Sequence, residues 1–281
     1  MKIGITGATG QLGQLVVQEL KELLGKENIV ALVRSPEKAA ALQVEARPFD
    51  FDKPENLAAQ LKGIDRLLLI SGSEIGQRKR QHANVIEAAK TGGIKWIVYT
   101  SLLHVDTSSI NLAGEHQATE KLLKESGIEH TLLRNGWYTE NYTSSIEGAL
   151  GAGTLIGSAG AGKISSAARK DYALAAATVI ADEKYKGKIF ELAGDNAYTL
   201  SDMAAEISKQ SGKEIPYKNL PETEYAAILE SFNIPKAVAS AIASWDISTS
   251  KDDLFDDSKT LSKLIGRPTT PLSETVKSVL K

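Results

Sequence analysis

Lys2-Ile3-Gly4-Ile5-Thr6, followed by Gly7-Ala8-Thr9-Gly10-Gln11-Leu12-Gly13, is the stretch that decides the fold of this 281-residue chain. The first five residues form a short β-type run that ends in glycines at positions 7, 10 and 13. Behind them Leu15, Val16, Leu20, Leu23 and Leu24 recur at helical spacing. Strand, Gly-x-x-Gly-x-x-Gly turn and helix, in that order, make a phosphate cradle. Gly7 permits the tight turn, Gly10 lets the backbone approach a pyrophosphate, and Gly13 lets the helix pack close to the strand. The N–H groups at the helix start, with the helix dipole, then face the negative charge. Gly7, Ala8, Thr9, Gly10, Gln11, Leu12 and Gly13 are therefore expected to hold a dinucleotide pyrophosphate.

Working outward, strand-like runs recur at 29–33, 44–50, 66–71, 96–101 and 130–134, with helical patterns at 36–42, 54–61, 75–91 and 115–126 between them. Leu67-Leu68-Leu69-Ile70 and Trp96-Ile97-Val98-Tyr99 are apolar without alternation, as expected of parallel strands covered on both faces. Alternation of strand and helix with short loops predicts an α/β fold, a doubly wound parallel Rossmann sheet. From about Asn135 the rhythm changes. Residues 151–162 contain five glycines and read as a loop, 171–181 as an alanine-rich helix, and 188–192 as another strand. Beyond Leu200 the pattern is mostly helical. The expected organisation is a nucleotide-binding domain over 1–150 with a returning segment around 165–195, and a smaller, mainly helical C-terminal domain over 151–281 that caps the substrate.

The composition narrows the function classes. With 33 basic and 35 acidic residues, and a formal charge of −2, the chain lacks the basic footprint of a nucleic-acid binder. Arg78, Lys79 and Arg80 read as a solvated helix face. There is no cysteine, hence no disulfide, thiolate catalysis or cysteine-type zinc site. His82, His104, His116 and His130 have no ligand spacing, and Asp252, Asp253, Asp256 and Asp257 fit a loop and first helical turn better than a metal site. No apolar run reaches the ~18 residues of a membrane span. The expected protein is cytoplasmic and metal-free, with neither nucleic acid nor membrane as partner; assembly into a homodimer is left open.

The residue closing the second strand selects the dinucleotide. An acid there would bind the ribose 2′-hydroxyl of NAD. Arg34 stands in that place and Lys38 follows one helical turn later. A guanidinium suits a 2′-phosphate, so NADPH is the expected cofactor, with NADH a weaker one. Asp50 and Phe51, at the end of strand three, are placed to reach the adenine. Ser71-Gly72-Ser73, closing strand four, suits close backbone approach to the cofactor or an ordinary turn.

Short-chain dehydrogenases that reduce carbonyls rely on a Tyr-x-x-x-Lys pair. None of the eight tyrosines has a lysine four residues later. His116 and Glu120 stand where that pair would be; Lys121 is one position out of phase, and a structural role is the reading for His116. At this point the chain resembles the NmrA-like atypical short-chain dehydrogenases. The resemblance rests on residues 6–13, Leu69-Ile70-Ser71, Tyr99-Thr100-Ser101-Leu102-Leu103-His104, Thr131-Leu132-Leu133-Arg134-Asn135-Gly136-Trp137-Tyr138 and Phe255-Asp256-Asp257-Ser258-Lys259-Thr260-Leu261, and covers nearly the whole chain. It implies an NADPH-binding domain, a small C-terminal domain with a cleft for a quinone, and a nicotinamide end lined by Asn135, Gly136, Trp137, Tyr138, Thr139 and Glu140.

The residue chemistry agrees. Asn135 suits an amide or ribose partner, Gly136 close approach, and Trp137 and Tyr138 a flat ring; for Trp137 a core position is the equal alternative. A quinone is electron-poor, and water supplies its proton, so no Tyr-Lys acid is needed and no flavin is implied. Tyr138, Asn141 and Tyr142 are the expected substrate contacts, with Tyr138 and His104 the candidates for a catalytic role. The expected activity is hydride transfer from NADPH to a small quinone; the alternative is a non-catalytic, NADP(H)-binding redox sensor.

Overall fold

The computed structural model describes residues 1–280. Its strands are β1 (Ile3–Thr6), β2 (Ile29–Val33), β3 (Glu45–Pro48), β4 (Arg66–Leu69), β5 (Trp96–Leu102), β6 (Glu129–Asn135), β7 (Leu155–Gly157), β8 (Ile189–Leu192) and β9 (Tyr217–Asn219). Its α-helices are α1 (Gln11–Leu24), α2 (Pro54–Gln60), α3 (Arg78–Gly92), α4 (Ala113–Ser126), α5 (Thr139–Thr143), α6 (Ile146–Ala152), α7 (Arg169–Ala181), α8 (Leu200–Ser211), α9 (Glu222–Ser231), α10 (Lys236–Thr249), α11 (Thr260–Ile265) and α12 (Leu272–Val279).

The chain divides into two units. The first comprises Met1–Asp106, Leu112–Asn135 and Arg169–Leu192. Its seven strands are all parallel, in the order β3-β2-β1-β4-β5-β6-β8. The order reverses between β1 and β4, and in open α/β sheets the crevice at the carboxyl ends of such strands is where ligands bind. Leu67, Leu69, Ile97 and Tyr99 pack with Leu57, Val85 and Leu123 of α2, α3 and α4. The alternate residues Leu68 and Val98 are equally buried and point to the opposite face. There α7 packs against α1 and against β4 and β5. Arg66 of β4 fastens this returning helix, donating to the carbonyls of Ile180 (2.8 Å) and Ala181 (3.0 Å) at its C-terminus, where a cation also complements the dipole.

The second unit comprises Thr107–Asn111, Gly136–Ala168 and the chain from Ala193 to the end of the described residues. Its core gathers Ile146, Leu155, Leu200, Met203, Ile207 and Val276. Thr199 and Asp202 cap α8 reciprocally, each side chain accepting the other's backbone N–H at 3.1 and 2.8 Å. Residues 136–150, read from sequence with the first domain, group with this unit.

Three local readings are corrected. The stretch Pro36–Leu42 is 3-10 rather than α-helix, since only Ala39 is buried and Gln43 turns left-handed (φ 56°). The glycine-rich stretch 151–162 is more than loop: β7 lies within it, paired parallel to β9. Arg78, expected in solvent, is buried. The buried positions 78, 81, 82, 85, 86 and 89 make one helical stripe, and Arg78 lies on it.

Candidate active site

The glycine turn has the shape its spacing requires. Gly7 is left-handed (φ +60°) and its carbonyl accepts the Gly10 N–H at 2.9 Å. A Cβ on Gly13 would lie 2.2 Å from the Gly7 carbonyl oxygen and 2.7 Å from Ala8 Cα, so only glycine lets α1 approach β1 this closely. No side chain caps α1 and no acid occupies its first turn. Its N–H groups and positive dipole end are left for an anion. Thr6 Oγ1 accepts the Ile70 N–H at 3.0 Å, tying the carboxyl end of β1 to that of β4.

Around this cradle the strand ends are braced from below. Asp52 N–H caps Asp50 Oδ1 (3.1 Å), and Asn84 donates to the Phe51 carbonyl (2.9 Å). Ser71 N–H donates to Thr100 Oγ1 (2.9 Å). Gly72 N–H donates to His82 Nε2 (3.0 Å), so His82 carries its proton on Nδ1 and donates to Thr119 Oγ1 (2.9 Å). Burial, then the nearby Arg78 cation, pushes His82 down to about 3 and keeps it neutral. Arg78 Nε donates to the Gly72 carbonyl at 2.6 Å, and its guanidinium lies 3.4 Å from Glu115. The turn after β4 is thus held by Arg78 and His82, two residues with no assigned role in the sequence reading. Asn135, at the end of β6, is buried with Oδ1 lacking any hydrogen-bond partner. An orphaned acceptor of that kind suits an amide donor such as a nicotinamide carboxamide. Arg34 is exposed beyond β2 with its guanidinium 3.2 Å from Glu74, and Lys38 is exposed one turn on.

The two groups in the acid–base positions are committed elsewhere. His116 Nδ1 meets the Tyr99 hydroxyl at 2.8 Å in the core. Burial, with Arg78 and His82 nearby, pushes it down to about 3, so it is no imidazolium acid. Glu120 takes Arg134 through Nη2 (2.7 Å) and Nε (3.1 Å), and accepts from Ser101 (2.6 Å). Arg134 also bonds Asp106 (2.8 Å) and Glu191 (2.9 Å). Glu191 in turn accepts the backbone N–H of His104 (2.8 Å), a residue held at φ +50°.

In the second unit, Tyr138 precedes α5 and pairs as a parallel bridge with Ala167. Thr139 is buried and bonded to Ser166 (2.8 Å), which bonds the Tyr198 hydroxyl (2.7 Å). Trp137 is half-buried, its ring edge-on to Trp245 with centroids 5.5 Å apart, and Trp245 Nε1 donates to Asn111 (2.8 Å). Tyr142 is half-buried, edge-on to Tyr198 at 6.4 Å, and Asn141 is exposed. Burial, then the proximity of Tyr198 and Asp246, holds the Tyr142 phenol well above its ordinary range, so it stays a neutral donor. Trp245 went unremarked in the sequence, where it lies in an alanine- and serine-rich helix.

Asp246, beside Trp245, is buried and accepts the Ser158 N–H at 2.7 Å. Burial pushes its carboxyl up to about 6, against the lowering effect of that one bond. The folded value exceeds the unfolded one, so the folded state binds this proton more tightly. The charge costs up to about 3 kcal/mol above pH ~6, and the cost disappears as pH falls toward ~4. Asp246→Asn keeps an acceptor for Ser158 and removes the charge. Melting curves should show the variant a few degrees more stable near pH ~7.5, with the gap closing by pH ~4.5; a gap independent of pH would contradict the assignment.

Among the described residues no helix is long and apolar enough to cross a membrane, and no cluster of three or more histidines and acids has metal-binding geometry. Three of the four acids are spent on the loop: Asp252 accepts the Lys163 N–H (2.8 Å), Asp253 the Ser109 N–H (2.7 Å) and Asp256 the Ser258 N–H (2.9 Å).

Comparison with known proteins adds five findings. The NAD(P)H-binding family matches residues 7–183. Quinone oxidoreductase 2 of Escherichia coli (strain K12) is 55% identical over 277 residues, spanning 98% of this chain and 97% of that protein. An NmrA-like family domain-containing oxidoreductase of Aspergillus flavus is 28% identical over 80% of this chain and 76% of its own. Among solved structures, an NADPH-dependent quinone oxidoreductase from Escherichia coli in complex with NADPH superposes with a TM-score of 0.97 at 54% identity, covering 99% of this chain and 100% of that one. The Citrobacter sp. triphenylmethane reductase in complex with NADP(H) gives 0.96 at 36% identity, with 99% and 100% covered.

Proposed function

The chain belongs to the NmrA-like, NAD(P)H-binding family of atypical short-chain dehydrogenases, and from that premise we propose that it transfers a hydride from NADPH to a small quinone without flavin. The observation that carries the reading is the fate of the acid–base positions. His116 is neutral and bonded to Tyr99, and Glu120 is locked on Arg134. A chain with no proton relay there suits an acceptor whose reduced oxygens take protons from water.

The residues present fit the cofactor: the Gly13 approach, the uncapped α1 terminus and the orphaned Asn135 acceptor each match a part of NADPH. When bound, NADPH supplies the hydride from C4 of its nicotinamide. Residues 7–13 hold the pyrophosphate, Arg34 and Lys38 the 2′-phosphate, and Asp50 and Phe51 the adenine. Ser71, Gly72 and Ser73 approach the ribose. Asn135 orients the carboxamide, and Gly136 to Glu140 continue that lining. Tyr138, Asn141 and Tyr142 contact the quinone, with Trp137 as an aromatic wall. Tyr142 donates its hydrogen bond as a neutral phenol, and Tyr138 and His104 are the candidates for a role near the reacting oxygens. Holding two flat rings in contact while excluding water is the main task left to the protein. We place the reaction in the cytoplasm.

The test mixes purified protein, NADPH and 1,4-benzoquinone and follows the nicotinamide absorbance. Consumption well above the uncatalysed rate is expected. NADPH binding without consumption would overturn the enzyme reading in favour of a redox sensor.

A further inference from the structure

We propose that Glu74 is a specificity-determining residue, whose carboxylate competes with the 2′-phosphate of NADPH for Arg34 and so tempers the preference for NADPH over NADH. This rests on the reading of Arg34 given above. Glu74 lies forty residues from Arg34, yet one carboxylate oxygen sits 3.2 Å from the Arg34 guanidinium. The other accepts from Gln81 Nε2 at 3.0 Å.

The contact is built by the segment that carries Glu74. That segment is pinned on one side at Gly72, by His82 and Arg78. On the other it is pinned at Gly76, which takes φ +86° and donates to Glu115 at 2.9 Å. Around the second pin the chain turns on itself through Gln77 N–H to the Glu74 carbonyl (3.1 Å). Glu74 is thereby presented to the end of β2 from a fixed base.

The surrounding charges make this carboxylate the deciding one. Asp52, the next acid in the cluster, is taken by Arg80 at 2.5 Å and approached by Gln81 at 3.2 Å. Asp50 lies 3.6 Å from Lys53. Glu74 is the acid paired to Arg34 itself. The pair is exposed, 70% on the Arg34 side chain and 45% on Glu74, so it is weak and reversible. A phosphate dianion displaces it, but must first separate the pair and then accept a like-charged neighbour. NADH has no phosphate to place there and leaves the pair intact.

Calorimetric titration with 2′,5′-ADP and with 5′-ADP isolates this end of the cofactor from turnover. In Glu74→Gln the affinity for 2′,5′-ADP should rise about fivefold at low ionic strength, and the gain should shrink in salt on the order of 0.5 M. Affinity for 5′-ADP should stay within about twofold of wild type. Glu74→Ala should behave alike, and because the side chain is exposed both variants should melt as wild type does. Arg34→Ala is the separating control. If it weakens 2′,5′-ADP selectively while Glu74→Gln leaves both ligands unchanged or weakens 2′,5′-ADP, Arg34 stands and the role of Glu74 is overturned. If Arg34→Ala weakens both ligands equally, the 2′-phosphate assignment itself falls.

Discussion

Gly13→Ala should lose NADPH affinity by about 100-fold and lower the melting temperature, although it adds a single methyl group. That methyl would sit 2.2 Å from the Gly7 carbonyl oxygen and 2.7 Å from Ala8 Cα. Both are backbone atoms, so relief requires moving α1 away from β1 rather than rotating a side chain. Overpacking of this kind costs about 1–3 kcal/mol of stability. The displaced helix also carries away the N–H groups aimed at the pyrophosphate, and misplacement of about 1 Å is enough for the affinity loss. Gly148→Ala in α6 is the matched control, since a Cβ there meets nothing within 4 Å. It should be neutral or slightly stabilising, by up to about 1 kcal/mol. Thermal melts and NADPH titrations of the two variants read both effects; equal behaviour would contradict the cradle.

Arg34→Asp should raise KM for NADPH about 100-fold while changing KM for NADH no more than a few-fold. A charge-assisted contact to a phosphate is worth about 1.5–3 kcal/mol, and the substituted carboxylate adds repulsion with Glu74 already beside it. The acid at this place also matches the residue that accepts a ribose 2′-hydroxyl in NAD enzymes. Equal losses for both cofactors would remove the 2′-phosphate role.

What was legible in the sequence follows from the range of the forces involved. The β1–turn–α1 unit is local: three glycines and one amphipathic helix suffice, and the parallel sheet showed in apolar runs such as Trp96–Tyr99. Features built by distant pairings were not legible. Arg78 reads as one of three charges in a row, but Glu115, thirty-seven residues on, draws it inside. The signal that could have found it is the apolar stripe of α3 extended backward through His82. Strands β7 and β9 have three residues each and pair across some sixty residues, so neither carries a period. Glu74 as the partner of Arg34 and Asp246 as a buried acid in a helix of small residues are set by tertiary placement. His116 and Glu120 stand between the two cases. Their failure to make a Tyr-Lys pair was plain from residue type, but their partners, Tyr99 and Arg134, are contributed by neighbouring strands.

Direct hydride transfer from NADPH to quinone is the step on which the proposed activity depends. The decisive measurement uses NADPH deuterated at one or the other face of C4, with 1,4-benzoquinone and protein supplied with no flavin. The predicted result is one NADPH oxidised per quinone reduced, with a slowed rate and deuterium loss for one of the two labelled forms. Oxidation no faster than without protein, or oxidation that begins only when flavin is added, would contradict it.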